Sequence, residues 1–150
     1  MKACVFGNSQ IIDKELERKL RNQLVYAIEV KKIYEFWSGG MGQYDILSAH
    51  ILKNLKKDYP HIKSYLVLAY LKEANKERED YIKDLYDGTI YPDLERVPKR
   101  FAIAKRNEIM IKESDYFILY VDYISANARN IMNKVRKSKK EYVNLGRCDN

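Results

Sequence analysis

Along the chain, short apolar runs give way to stretches whose apolar residues recur every three or four positions, and then to another apolar run. Residues 2–6, 33–37, 62–71, 116–121 and 141–145 read as strands, and residues 89–91, just before Pro92, as a further short one. Between them, residues 13–28 repeat Leu16, Leu20, Leu24 and Ile28, and residues 43–57 place Tyr44, Leu47, Ile51 and Leu55 on one helical face. Residues 98–113, with Pro98 in a first turn that tolerates its missing N–H, and residues 126–137 read as later helices. Residues 72–87 are highly charged, with Tyr81 and Leu85 four apart, and read as a solvated helix or an ordered excursion ending at Gly88. Strands alternating with helices predict an α/β, Rossmann-like doubly wound, mostly parallel sheet of about five to six strands with helices on both faces. The run at 62–71 is too apolar to have one wet face and is expected in the middle of that sheet.

A chain of 150 residues has the usual size of one domain, so residues 1–150 are expected to form a single unit with a polar tail from residue 146. Hydrophobic residues at 46% and charged residues at 33% exclude a disordered or fibrous chain. The longest apolar run, 65–71, falls far short of the ~20 residues that span a bilayer, and the opening run ends too early for a signal peptide. A cytoplasmic location is therefore expected. Cys4 lies in an apolar run and Cys148 in a polar tail, without metal-type spacing, which predicts free thiols in a reducing compartment. The formal net charge of +7 favours anionic partners such as nucleotides, nucleic acid or acidic proteins, although general richness in lysine accounts for the excess equally well.

In an open parallel sheet, ligands bind beyond the carboxyl ends of the strands. Three loops fall there: Gly7-Asn8-Ser9, residues 38–45 and residues 122–127. The second, Ser38-Gly39-Gly40-Met41-Gly42-Gln43-Tyr44-Asp45, carries three glycines just before a helix. Glycines let the backbone approach a ligand closely while amide N–H groups and the positive end of the helix dipole face it, an arrangement suited to phosphate. Ser38 offers a hydroxyl donor. Asp45 would repel phosphate, and is read as a helix cap or a partner for a ribose hydroxyl. Glycine turns also end strands for steric reasons alone, so the spacing by itself leaves both readings open.

The stretch Phe36-Trp37-Ser38-Gly39-Gly40-Met41-Gly42-Gln43-Tyr44-Asp45-Ile46-Leu47-Ser48-Ala49 resembles the glycine loop and following helix of the SLOG superfamily, named for the Smf/DprA and Lonely-guy proteins. It is most similar to a branch of small bacterial and phage members of unknown function. Val97-Pro98-Lys99-Arg100-Phe101-Ala102-Ile103, followed by Lys105-Arg106-Asn107-Glu108 and Met110, is similar to that branch's characteristic motif, and Ser114-Asp115-Tyr116-Phe117-Ile118-Leu119-Tyr120-Val121 continues it. The resemblance implies a Rossmann-like fold whose glycine loop holds the phosphate of a nucleotide or nucleotide-derived ligand; it implies no particular reaction. Superfamily members often dimerise, which makes a homodimer one implied assembly.

Lonely-guy enzymes cleave the N-glycosidic bond of nucleoside monophosphates with an arginine, matched here by Arg106, and a glutamate after a P-G-G-x-G-T loop. Here residues 121–126 read V-D-Y-I-S-A, and Ala128 and Arg129 stand where the carboxylates should fall. Ribose leaving-group departure builds positive charge that a carboxylate stabilises, so the departure argues against that chemistry. The branch's usual Gly-Gly pair is replaced by Ala126 and Asn127, and Gly7-Asn8-Ser9 replaces a common glycine, histidine and arginine.

The candidate ligand-binding set is therefore Ser38, Gly39, Gly40, Gly42, Asp45, Arg106, Asn107, Gly7 and Asn8. The planar fork of Arg106 suits bidentate phosphate contact, against a bland reading in which it pairs with Glu108, Asp115 or Asp122. Asn107 is read as bonding ligand or a loop carbonyl. His50 and His61 lack partners at metal-ligand spacing, and Asp122 is the one residual carboxylate to propose as a nucleophile. The block Arg129, Lys134, Arg136, Lys137, Lys139 and Lys140 reads as a solvated face or a nucleic-acid footprint. The leading expectation is a binding protein for a nucleotide-type signal: sensor, carrier or sequestering protein. The alternatives are a phosphoribohydrolase or N-glycosidase, and a single-stranded nucleic-acid binder of the kind the Smf/DprA resemblance implies. Most of the 13 tyrosines fall at core positions of strands and helices and suit packing better than stacking on bases.

Overall fold

Among the described residues, six parallel strands build one sheet in the order β4-β3-β2-β1-β5-β6. They are β1 (Lys2–Gly7), β2 (Glu35–Ser38), β3 (Lys63–Val67), β4 (Gly88–Ile90), β5 (Tyr116–Tyr120) and β6 (Glu141–Asn144). Five helices connect them: α1 (Leu16–Glu29), α2 (Gln43–Leu55), α3 (Lys76–Leu85), α4 (Ala102–Glu113), entered through a 3-10 turn at Lys99–Phe101, and α5 (Ala126–Lys137). The computed structural model describes residues 1–40, 42–71, 76–122 and 125–147; the expected helical residues 72–75 lie outside that set.

Strand alternation sorts β1 onto two faces. Ala3 and Val5 meet α1 and α2 through Leu16, Leu20, Leu24, Ile51 and Leu55. Cys4 and Phe6 meet α4 and α5 through Met110, Ile111, Met132 and Val135. Leu16, Leu20 and Leu24, all fully buried, each stabilise the fold by roughly 2 kcal/mol relative to an exposed side chain. The two faces follow from handedness. The chain steps one way from β1 through β4, then returns past β1 to β5, and right-handed crossovers in opposite directions place their helices on opposite sides.

The expected doubly wound sheet is present, with one correction. The run at 62–71, expected in the middle, forms β3, second from the edge; β1 and β2 hold the middle. An apolar strand needs cover on both faces, not a central place. Leu66 packs with Leu85 and Tyr86 on one side, while Val67 joins the cluster on the other. The sheet part of the run also ends at Val67, and residues 68–71 continue as loop beyond the strand end.

Candidate ligand site at the carboxyl ends of the strands

The strand order reverses between β1 and β5, so the crevice expected to take a ligand lies beyond Gly7 and Tyr120. The chain's own tail crosses it. Leu145 N donates to Leu119 O at 2.8 Å, and the Asn144 side chain brackets Val121, accepting from its N–H at 2.9 Å and donating to its carbonyl at 3.1 Å. A Cβ on Gly146 would fall 2.2 Å from Val121 O, so only glycine permits this crossing. What stays open is a cavity of roughly 240 Å³ lined by Ile12, Asp13, Tyr120, Asp122, Gly146 and Arg147. Asp122, the candidate nucleophile, is buried there, and its Oδ1 accepts from Ser125 N at 3.4 Å ahead of α5. Ser125 caps that helix by accepting from Ala128 N at 3.2 Å.

The first loop is held from below. The Tyr44 ring fills the space over Gly7, where a Cβ would lie 2.3 Å from a ring carbon, and its hydroxyl donates to Ile118 O at 2.8 Å. Asn8 N extends the β1–β5 ladder by donating to Tyr120 O at 2.9 Å, while its buried side-chain oxygen has no hydrogen-bond partner among the described residues.

In the glycine loop, the protein's own atoms use the space each glycine leaves. A Cβ on Gly39 would stand 2.8 Å from Arg106 Nη2, and one on Gly42 2.7 Å from Ser9 Cα. Gly40 has φ +64, and its Cβ would meet Leu66 at 2.5 Å. Ser38, buried, accepts from Gly40 N at 3.1 Å and is hydrogen-bonded to the Tyr86 hydroxyl, so it shapes the turn from inside. Burial raises the Tyr86 hydroxyl pKa to about 12. Gln43 ties the loop to the first one, its N–H donating to Ser9 O at 2.9 Å and its Oε1 accepting from Ile11 N at 2.8 Å. Met41 lies outside the described residues.

Arg106 lies directly under this turn at 4% exposure. Its Nη1 points at Gly39 O and Val67 O, at 3.4 and 3.5 Å, and its Nε and Nη2 donate to Asn107 Oδ1 at 3.2 and 3.0 Å. Asn107 thus bonds the arginine. Burial lowers the Arg106 pKa, and the Asp45 carboxylate in the first turn of α2 is the strongest influence holding it up. Of the carboxylates weighed in the bland reading, Glu108 pairs with Lys105 and Asp115 accepts from the Lys2 N–H.

A cavity of roughly 350 Å³ opens beside this arginine, between the ends of β2 and β3, lined by Gly39, Gly40, Ala69, Tyr70, Arg78 and Arg106. Arg78, on α3, is a lining residue the sequence reading missed. It sits in a charged segment with no spacing that distinguishes it from a solvated arginine, and only the cavity it lines together with Leu68, Ala69 and Tyr70 reveals its place. Tyr70 also borders a second cavity, of roughly 390 Å³, with Tyr91, Leu94, Val97 and Lys99. Its hydroxyl donates to Lys99 O at 3.0 Å.

No family model matches the chain. A UPF0398 protein of Brevibacillus brevis is 22% identical over 134 residues, covering 83% of this chain and 69% of that protein. DNA processing protein A of Streptococcus pneumoniae superposes on 95% of this chain with a TM-score of 0.62 at 15% identity, and this chain spans only 49% of its length. DNA processing protein A of Helicobacter pylori, a single-stranded-DNA-binding protein, superposes on the whole chain and 67% of its own with a TM-score of 0.61 at 15% identity. The chain shares the SLOG-type fold of these DNA processing proteins. A structural-genomics target shares this fold, with a TM-score of 0.55 at 13% identity over 94% of this chain and 71% of its own.

Within this SLOG-type fold, much of the expected basic footprint is engaged internally. Lys140 Nζ donates to Ile111 O, Lys112 O and Ser114 O at 2.8, 2.7 and 2.8 Å, closing the carboxyl end of α4. Lys134 pairs with Glu108 at 3.9 Å, and Arg136 Nε donates to the Tyr142 hydroxyl at 3.1 Å. Arg129, Lys137 and Lys139 are exposed. His61 packs edge-on against Tyr34 and Tyr59, and no group of three His, Cys, Asp or Glu among the described residues is arranged to hold a metal. No helix among the described residues is long and apolar enough to cross a membrane.

Proposed function

We propose that this SLOG-type domain binds a nucleotide or nucleotide-derived ligand, with the ligand's phosphate at the mouth of the cavity between the Gly39-Gly40 turn and Arg78. The carrying observation is the convergence of that turn and two arginines on one cavity at the strand ends. Arg106 supports the loop carbonyls while Arg78, exposed on α3, meets the phosphate. The reading is one of binding, as a sensor, carrier or sequestering protein: Asp122 borders a different cavity.

Thermal shift against a panel of nucleotides, including cyclic and ADP-ribose-type ligands, tests it. A ligand at 100 times its dissociation constant contributes about 2.7 kcal/mol, an easily resolved shift. Arg78→Ala should abolish the shift, with the melting temperature of the free variant reporting that the fold is intact. No shift with any member of the panel, or equal shifts in the variant, rejects the site.

A second reading is single-stranded DNA binding. It is favoured by the likeness to the Helicobacter pylori protein and by cation–aromatic pairs near the Tyr70 cavity, where Arg100 lies 4.8 Å from the centre of the exposed Phe101 ring and Lys99 lies 5.7 Å from that of Tyr70. Oligonucleotide binding that weakens steeply with salt and is lost in Phe101→Ala supports this reading; no binding at low salt removes it.

A further inference from the structure

The glycine-loop cavity does not end at Tyr70. A larger cleft of roughly 480 Å³ runs on from it between α3, the carboxyl end of β3 and the start of β4, and the two share Leu68, Tyr70 and Arg78 as lining residues. Their characters differ. The first presents glycine backbone and two arginines, whereas the second is walled by Leu68, Leu71, Ile82, Tyr70 and Tyr86. Tyr86 joins them physically: its hydroxyl reaches Ser38 and would lie 3.4 Å from a Cβ on Gly40, while its ring side faces the cleft. The outer rim belongs to Thr89 on β4, an edge strand whose far side carries no neighbour among the described strands.

Arg78, Glu79, Lys83 and Asp87 also line the cleft, and a cavity of this size with a largely apolar wall is the usual form of a small-molecule site. From these observations we infer that the cleft takes the flat ring of the ligand, so that the ligand is a nucleoside phosphate lying lengthwise, its phosphate at Gly39-Gly40 and Arg78 and its base between Tyr70, Tyr86 and Ile82. The inference rests on the phosphate placement proposed above. Asp87, although it borders the cleft, is engaged elsewhere: it pairs with Lys56, and its Oδ2 accepts from Ser64 N at 2.8 Å. The base is gripped mainly by stacking and apolar contact with this wall, exposed Glu79 and Lys83 also lining the cleft, and the site discriminates ring from no ring more strongly than one base from another.

Calorimetric titration with inorganic phosphate, ribose 5-phosphate and the nucleoside 5′-monophosphates tests this on the wild-type protein and on Thr89→Trp. Thr89 is exposed on the edge strand, tryptophan suits strands, and its indole would fill the cleft without deleting a core contact. The nucleotides should bind the wild type at least tenfold more tightly than ribose 5-phosphate. Thr89→Trp should erase that difference and leave ribose 5-phosphate affinity unchanged, with its melting temperature reporting that the fold is intact. Equal affinities for nucleotides and ribose 5-phosphate in the wild type overturn the base cleft while sparing the phosphate site. An unaltered nucleotide preference in a folded Thr89→Trp also overturns it. Failure of every phosphate compound to bind overturns both.

Discussion

Arg106 is the residue whose replacement separates two uses of the same side chain. If its guanidinium braces the glycine loop, Arg106→Ala leaves Gly39 O and Val67 O without that donor, frees the Asn107 side chain, and removes a positive charge that interacts with buried Asp45. The Asn107 contacts at 3.0 and 3.2 Å are ordinary hydrogen bonds, while the carbonyl contacts at 3.4 and 3.5 Å are long and contribute less. Allowing for water entering from the adjoining cavity, the loss is about 2–4 kcal/mol. For a domain of this size that is a fall in melting temperature of roughly 5–15 °C.

The opposite use predicts the opposite sign. A buried guanidinium held only for a ligand is a desolvated charge that costs the free protein stability, and burial does lower this arginine's pKa. Its removal would then raise the melting temperature while abolishing ligand binding. Urea unfolding of the wild type, Arg106→Ala and Arg106→Lys, all without ligand, reads this directly. Lysine keeps the charge but cannot span Asn107 and the two carbonyls at once, so it should fall between. An alanine variant as stable as the wild type, or more so, refutes the brace.

Lys140→Met removes an ammonium whose three donors each meet a carbonyl at the end of α4; urea unfolding should show a loss of about 1–2 kcal/mol, with oligonucleotide affinity unchanged. Gly146→Ala pushes a methyl group into Val121 O, so the tail must lift, and the Leu145 amide, bonded to Leu119 O, should lose hydrogen-exchange protection. Asp13 is held below the usual carboxylate range, first by its hydrogen bond from Lys19 and then by that from the Glu15 N–H. Its lowered folded pKa gives stability that is present above the unfolded value and lost as pH falls through the folded one; the melting-temperature gap between wild type and Asp13→Asn should therefore be widest near neutral pH and close in acid.

Element type was legible because exposure alternates with the period of each element. Leu16, Leu20 and Leu24 face the core at helical spacing, and Ala3, Cys4, Val5 and Phe6 divide between the two sheet faces at strand spacing. Strand order was less so. The sequence of β3 records cover on both faces but carries no mark of its distance from the edge, which depends on how many crossovers run each way. The glycine loop was located correctly, while the reason for each glycine was invisible. Gly39 answers to Arg106, which is 67 residues away in the chain, and Gly42 answers to the Ser9 backbone. Arg78 escaped notice because its sequence neighbours Glu77, Glu79 and Asp80 are all charged, and only the folded chain brings it to the cavity beside Gly39 and Gly40.

The same contacts bear on how a ligand would be held. A loop whose glycines are already filled against Arg106, Leu66 and Ser9, and whose Ser38 is bonded within the turn, has few alternative shapes to lose when a phosphate arrives. Ordering cost falls instead on Arg78 and its neighbours on α3, an exposed helix whose one fully buried side chain is Leu85. Binding should accordingly leave the amides of the first turn of α2 nearly as protected as before, and slow exchange mainly along α3. Hydrogen exchange with and without a stabilising nucleotide measures both regions at once. Protection gained in α2 rather than α3 would mean that the loop, despite its internal bracing, is the part that forms around the ligand.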